Sequence, residues 1–570
     1  MAQSAEIQAE GLLMSRLRQS APSGARGVSG GGGAWLAAAL ALATLAGLPI
    51  AAIGWAALRG AGASESLSAL AATVLPTYVA NTLLLMALAG AIAAVTGTGC
   101  AWLVAATRFP GRRLLSWALV LPLALPAYLA AYIYADMLDF AGPVQSALRR
   151  VTGWRADSYW FPDIRSLGGG ALVLGLVLYP YVYLLARTAF ETQSLTQFRA
   201  ARSLGARPAR AFWQVALPAA RPAIAGGLAL VLMEVLADFG VAEYFAIPTF
   251  STGIFRSWLA MGDKAAALQL AAVMLLFVIA LVTWEARTRA GRSDSRDGLA
   301  GRATDEPLVH LSPAGKALAL AACALPVVLG FVLPAAYLAA MAASDAAQAA
   351  AGELAAYLRG SLWLGAATAL LCLLAALLLA FARARSGSKA TASAIRLATL
   401  GYALPGALLA VGLLAPLGAF DQSLTRFARD ALGWSGGLLL TGTSAILVYA
   451  LSVRFLTVAY NSVSSGLARI PPGLDAAARS LGAGPARVLA RIYAPLLAPS
   501  LAGAAALVFI DTLRELPATL ILRPFNLETL ATRTYRLASD ERLVEAAIPA
   551  LILLAAGLLP VLVLNRLRKR

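Results

Sequence analysis

The sequence predicts an all-α polytopic membrane protein made of two same-orientation six-helix transmembrane repeats, about 12 spans in all. Three observations carry that reading. Hydrophobic residues fill 60% of the 570 positions, charged residues 13%, and the mean hydropathy is +0.75. That is more apolar surface than a soluble chain can bury. The apolar residues gather into runs long enough to cross roughly 30 Å of hydrocarbon at about 1.5 Å per residue. Finally, the stretch from Phe198 to Tyr244 recurs from Asp475 to Ile521 without a gap. One constant spacing pairs Gly205 with Gly482, Pro208 with Pro485, Pro218 with Pro495, Gly226 with Gly503, Glu234 with Asp511 and Asp238 with Glu515. A register held through so many special residues marks an internal duplication.

Taken in order, residues 1–33 are polar and then glycine-rich, and predict a disordered cytoplasmic tail. The first half, 34–284, places spans at 34–58, 80–105, 114–138, 168–187, 223–245 and 265–284. A linker at 285–316 is rich in Arg, Asp, Gly and Ser and contains the single histidine, His310, read as a solvated residue. The second half, 317–564, places spans at 317–341, 361–382, 395–420, 435–453, 499–521 and 543–564, and 565–570 is a basic tail. Similarity between halves reaches beyond the main repeat, since LALPAYLAA at 123–131 resembles YALPGALLA at 402–410.

Lysine and arginine set the orientation. About two-thirds of the 46 fall in segments that face the cytoplasm if both termini lie inside. The net charge of +18 is thereby accounted for by topology, and no nucleic-acid partner is expected. An even number of spans per half leaves the copies in the same orientation, unlike the inverted repeats of many secondary transporters.

Each copy of the repeat begins in a cytoplasmic loop, at 188–222 and 454–498. The pattern is a short alanine-rich helix, a glycine at Gly205 or Gly482, then a proline at Pro208 or Pro485. Glycine suits a left-handed position after a helix and proline suits the first turn of the next, which spells helix, tight turn, helix. Small side chains would let a partner approach closely, with Arg202, Arg207 and Arg210, or Arg479, Arg487 and Arg491, around the surface. An amphipathic pair lying on anionic lipid headgroups fits the same pattern.

Each copy ends with charges inside an apolar span: Glu234 and Asp238 in the fifth, Asp511, Arg514 and Glu515 in the eleventh. A charge near the bilayer centre costs about 2.5 to 3.5 kcal/mol, so these residues should face the bundle interior or a wet cavity. Asp511 and Arg514 can pair at i,i+3, whereas the fifth span offers Glu234 and Asp238 no basic partner within reach. Carboxylates lining a path suit a hard cation; inter-helix pairs and caps on broken helix ends are the alternatives.

Other features are read as structural. The cysteines Cys100, Cys323 and Cys372 lie in apolar runs without CxxC spacing. Tyrosines 128, 132, 134, 179, 181 and 183 gather at span ends, where aromatic belts form. No His/Cys/carboxylate spacing suggests a dedicated metal site. Gly315-Lys316 runs into Ala317 and lacks the upstream glycine of a phosphate-binding loop, so the chain is expected to bind no cofactor and to hydrolyse no ATP. An ion-gradient-driven carrier that uses the intramembrane acids is the competing reading.

The loops resemble the EAA loop of binding-protein-dependent ABC importer permeases: Ala-Ala-x-x-x-Gly, then Leu-Pro or Ala-Pro about a dozen residues later. The match falls on Ala200, Ala201, Gly205 and Pro218, and on Ala477, Ala478, Gly482 and Pro495. The resemblance implies coupling helices that dock on two cytoplasmic ABC ATPase subunits, which would consume the ATP, and an external solute-binding protein that delivers cargo at a bacterial inner membrane. The motif's leading acid is missing: Arg199 and Ala476 stand in its place. The fused double permease, with RELPATLILRPFNLETLATR at 514–533 and ASDER at 538–542, is similar to bacterial ferric-iron importers over nearly all of 34–570. Thiamine and phosphonate importers share the fused plan.

Overall fold

The computed structural model describes residues 32–570 except 60–62, 156, 192–194, 294–308, 387, 434–436, 469, 472, 483–484 and 570. The expected N-terminal tail and the middle of the linker thus lie outside the described residues. Among those described, structure is helical apart from one isolated bridge between Thr107 and Val309. Ten helices among the described residues are long and apolar enough to cross a membrane. A pair bent by 91°, Arg112–Ala124 with Ala127–Thr152, makes eleven if taken as one span, and the shorter apolar helix Leu543–Leu559 stands where the sequence places the twelfth.

The bend replaces the straight span expected at 114–138. Leu121–Ala124 is a tight 3-10 turn, Leu125 is extended, and Pro126 precedes the helix Ala127–Leu138. Proline lacks the N–H that would continue a helix and pushes the residue before it out of the α region. The second half repeats the device: a 3-10 turn at Thr399–Ala403, extended Leu404, then Pro405 before Gly406–Leu432. The expected span at 395–420 therefore starts at Gly406.

The run at 435–453 is shifted for a different reason. The helix begins only at Ser444, where the Thr443 side chain accepts the N–H of Ala445. Leu439, Leu440 and Thr441, counted as span, instead give their N–H groups to the buried Asp421 carboxylate at 2.7 to 3.0 Å.

The halves are interlocked. Helix Gly32–Arg59 packs against Leu354–Ser386, Lys389–Ala398 and Gly406–Leu432 of the second half. Gly412 permits this, since a Cβ there would meet the Pro49 carbonyl at 2.8 Å. Reciprocally, Pro313–Ala342 packs on the first half. Cys100 Sγ donates to the Ala322 carbonyl at 3.6 Å, Tyr134 donates to the Leu329 carbonyl, and Tyr337 donates to Asp136. Hydropathy cannot reveal such a swap, because a lipid-facing stripe and a partner-facing stripe are equally apolar.

Candidate functional site

The first repeated loop forms helix Leu195–Ser203, a turn at Gly205, and a second helix from Pro208. Gly205 has φ +87°, with Gly205 N–H donating to Arg202 O at 3.0 Å and Ala206 N–H to Ala201 O at 3.1 Å. That 6→1 bond with a left-handed residue is a Schellman stop, which glycine adopts without a Cβ clash. The second loop has the same helix, left-handed glycine and second helix, in Gly473–Ser480, Gly482 at φ +77° and Pro485–Val488. Ala200 and Ala477 are exposed, Ala201 is half-buried and Ala478 buried, so each alanine pair turns one methyl outward and one toward the protein.

The turn also projects a residue the motif does not mark: Leu204 is 88% exposed and Leu481 87%. Two apolar knobs at equivalent positions, on turns flanked by arginines, are unfavourable in water and suited to a groove. The first loop is anchored from behind by aromatic contacts of Trp102 with Phe190, Phe198 and Phe212 at centroid distances of 4.7 to 5.3 Å.

Beyond the turns, both copies pass through a π-helical turn, Phe212–Ala216 or Leu489–Tyr493, before Pro218 or Pro495. A proline cannot complete the α ladder, and a widened turn absorbs the carbonyl left over. Both copies then run straight to the intramembrane acids and stop there. Pro208–Ala237 ends at Asp238, which is extended with ψ 132°, and Ala494–Arg514 ends at Glu515 with ψ 127°. Short helices follow, Gly240–Tyr244 and Pro517–Leu522. The spans expected at 223–245 and 499–521 are therefore broken helices rather than continuous ones.

The acids at the breaks cap the second pieces. Asp238 Oδ2 accepts the Ala242 N–H at 3.0 Å. Glu515 accepts the N–H groups of Ala518 and Thr519 at 3.0 Å each and the Thr519 hydroxyl at 2.8 Å. A carboxylate at a helix N-terminus satisfies orphan donors and meets the positive end of the dipole.

Both breaks open on one cavity of about 150 Å³ at the junction of the halves. Glu234 and Asp238 line it from the first half, and Arg454, Arg514 and Glu515 from the second. Glu234, with no cation in reach on its own helix, faces Arg454 and Arg514 across the junction, with Tyr402 within hydrogen-bonding reach. Asp511 faces Arg514, Glu234 and Arg454, so the i,i+3 neighbour is one of several charges around it rather than a private partner. Arg514 also donates to the Leu123 carbonyl of the first half at 3.0 Å. Arg454 lies 3.5 Å from Glu515. Four carboxylates against two guanidiniums give the cluster a formal charge of about −2.

Sequence reading missed Arg454, counting it with a cytoplasmic loop. It lies inside helix Ser444–Leu467, where an arginine eleven residues past the Thr443 cap was the signal available. The tyrosines are a second correction. Tyr128, Tyr132, Tyr134, Tyr179 and Tyr183 are buried in the bundle and do not form a belt. Belt residues need a wet end, and these side chains lie inside.

Among the described residues no group of three or more His, Cys, Asp or Glu is placed to hold a metal ion. The cysteines are buried and unpaired.

Residues 93–286 match the model of the binding-protein-dependent transport system inner membrane component. The chain is 25% identical over 509 residues to the Fe(3+)-transport system permease protein of Haemophilus influenzae, covering 89% of this chain and 92% of that one. It is 30% identical over 213 residues to a protein of Salmonella typhimurium named as a 2-aminoethylphosphonate transport system permease, covering 37% of this chain and 74% of that one. It is 29% identical over 204 residues to the molybdenum transport system permease protein of Escherichia coli, covering 34% of this chain and 86% of that one. The chain belongs to the family of binding-protein-dependent transport permeases: it is a multi-pass inner-membrane protein and the non-catalytic membrane subunit of an ABC importer.

Proposed function

We propose that this chain supplies both permease halves of an ATP-driven importer, 34–284 and 317–564, and passes ferric iron from an external solute-binding protein to the cytoplasm. The observation that carries the cargo reading is the cavity at the junction, lined by the carboxylates of Glu234, Asp238 and Glu515 against Arg454 and Arg514, with Asp511 acting on Glu234 and both arginines beside it. An oxygen-rich cavity in which carboxylates formally outnumber guanidiniums favours a hard cation over an anion. The relative matched across 92% of its length carries Fe(3+) transport in its name, which supports the same cargo.

The remaining assignments follow from that frame. Both termini lie in the cytoplasm, and the halves are six-span repeats of the same orientation. Ala200, Ala201, Gly205 and Pro218, with Ala477, Ala478, Gly482 and Pro495, form two coupling surfaces, one for each ATPase subunit. ATP-driven closure of the ATPases moves these turns, and each turn is joined by one helix to an acid at the cavity. Ligands that bind the two states unequally then set which side is open.

One observation favours a second cargo. Nε of Arg454 and Nε of Arg514 are buried and donate to no hydrogen-bond partner, so two guanidinium donors remain for an oxyanion such as a phosphonate. Uptake by the reconstituted transporter, with ferric citrate, molybdate and 2-aminoethylphosphonate in parallel, decides. Accumulation of ferric iron alone is expected; accumulation of either anion without iron overturns the cargo reading.

A further inference from the structure

Two hydroxyl groups in the first half have no visible reason to be where they are. Tyr128 and Tyr132 sit one turn apart on Ala127–Leu138, 6% and 0% exposed, and the hydroxyl of each is buried without a hydrogen-bond partner. Buried polar groups are nearly always satisfied, so two neighbouring exceptions on one helix face call for an explanation. A phenylalanine would fill either place without that cost.

Their surroundings supply one. Tyr128 lines the charged cavity, and its hydroxyl feels the charges of Arg514 and Glu515. Its ring centroid is 5.7 Å from that of Tyr132. Tyr132 in turn meets the Tyr244 ring edge-on at 4.5 Å, with Asp238 and Tyr535 also acting on it. Tyr244 lies under the Arg165 guanidinium, 5.1 Å from the ring, and Arg165 pairs with Asp139 at 2.8 Å where both are 36% exposed. The chain of rings thus runs from a partly exposed ion pair inward to the cavity. Its elements come from both halves, since Tyr535 belongs to Leu530–Ser539.

We propose that the hydroxyls of Tyr128 and Tyr132, with the Asp238 carboxylate beside them, form an oxygen-donor step through which a hard trivalent cation passes from the Tyr244–Arg165 surface into the charged cavity. The inference rests on the cation reading of the cargo. Hard cations prefer oxygen donors, and phenol oxygens are among the hardest a protein offers. Two phenols and one shared carboxylate are too few for a resident site, which suits a ligand that must also leave. The same unpaired hydroxyls that are costly in the empty protein become ligands when the cation is present: each phenol exchanges its O–H bond for an Fe–O bond, and the proton leaves on a citrate carboxylate that the iron gives up.

The test is a titration of the full chain in lipid nanodiscs with ferric citrate, reading the visible charge-transfer absorption of iron bound to phenolate. The wild-type chain should develop the band. Tyr128→Phe and Tyr132→Phe should each weaken it, with ferric affinity falling roughly tenfold or more, and the double variant should lose it. Thermal stability should stay level or rise, because the atoms removed have no partners. A wild-type chain without the band, or a double variant binding iron as tightly as wild type, overturns the inference. Ferric uptake by the complete transporter separates the two readings. Iron moved equally by wild type and double variant removes the tyrosine step alone; iron moved by neither removes the cargo reading with it.

Discussion

Glu515 and Arg454 stand 3.5 Å apart, and Gly406 passes so close that a Cβ there would lie 2.6 Å from both charged groups. The glycine of YALPGALLA thus makes room for an ion pair inside the bundle. Gly406→Ala should force the pair apart or displace the helix, at about 1–3 kcal/mol. A lower thermal midpoint together with reduced uptake is expected, and an unchanged midpoint would mean the pair shifts without cost.

The turns at Gly205 and Gly482, proposed to couple the ATPases, yield a second expectation. Gly205→Val and Gly482→Val each put a β-branched residue at positive φ, which costs about 1–2 kcal/mol, with open space around both positions. The damage should therefore be confined to the turn. Uptake should fall while basal ATP hydrolysis by the assembled complex persists. Leu204→Ser and Leu481→Ser should leave folding intact, since both side chains are exposed, and weaken ATPase binding in a pull-down with purified subunits.

Asp238 separates capping from charge. Asp238→Ala removes the acceptor of the Ala242 N–H and should cost about 0.5–2 kcal/mol, whereas Asp238→Asn keeps an acceptor and should cost a few tenths. Denaturation midpoints in detergent measure the difference. If Asn matches wild type in stability but loses uptake, the charge has a role beyond the cap.

The interlocked first helices can be checked by cross-linking. Cys100 and Cys323 lie side by side on helices from opposite halves. A short thiol-specific cross-linker should hold the halves together after protease cleavage within 294–308. Fragments that separate on a denaturing gel would contradict the swapped packing.

Much of this was legible in the sequence because it rests on local chemistry. Gly205 and Gly482 announce left-handed turns, Pro208 and Pro485 announce helix starts, and the constant spacing between copies announces matching elements. The structure repeats down to its caps: Thr249 and Thr529 each form a capping box with a threonine three residues on. What was not legible depends on partners. Apolar periodicity does not distinguish a continuous span from one broken at Asp238 or Glu515, since the residues on either side remain apolar. Arg454 was lost to a topology count because a charge at a span's end and a charge inside it look alike until its partner, Glu515, is known. The tyrosines were misplaced for the same reason, as only packing shows that Tyr132 is wholly buried.

The central claim is that the junction cavity is net acidic and selects a cation. Ferric uptake by the reconstituted transporter carrying Glu234→Gln with Asp511→Asn tests it most directly, because these changes remove two formal charges and leave both caps in place. Uptake should fall at least about tenfold, equivalent to about 1.4 kcal/mol, while ATP hydrolysis stimulated by the binding protein is retained. Undiminished ferric uptake in that variant would contradict the account.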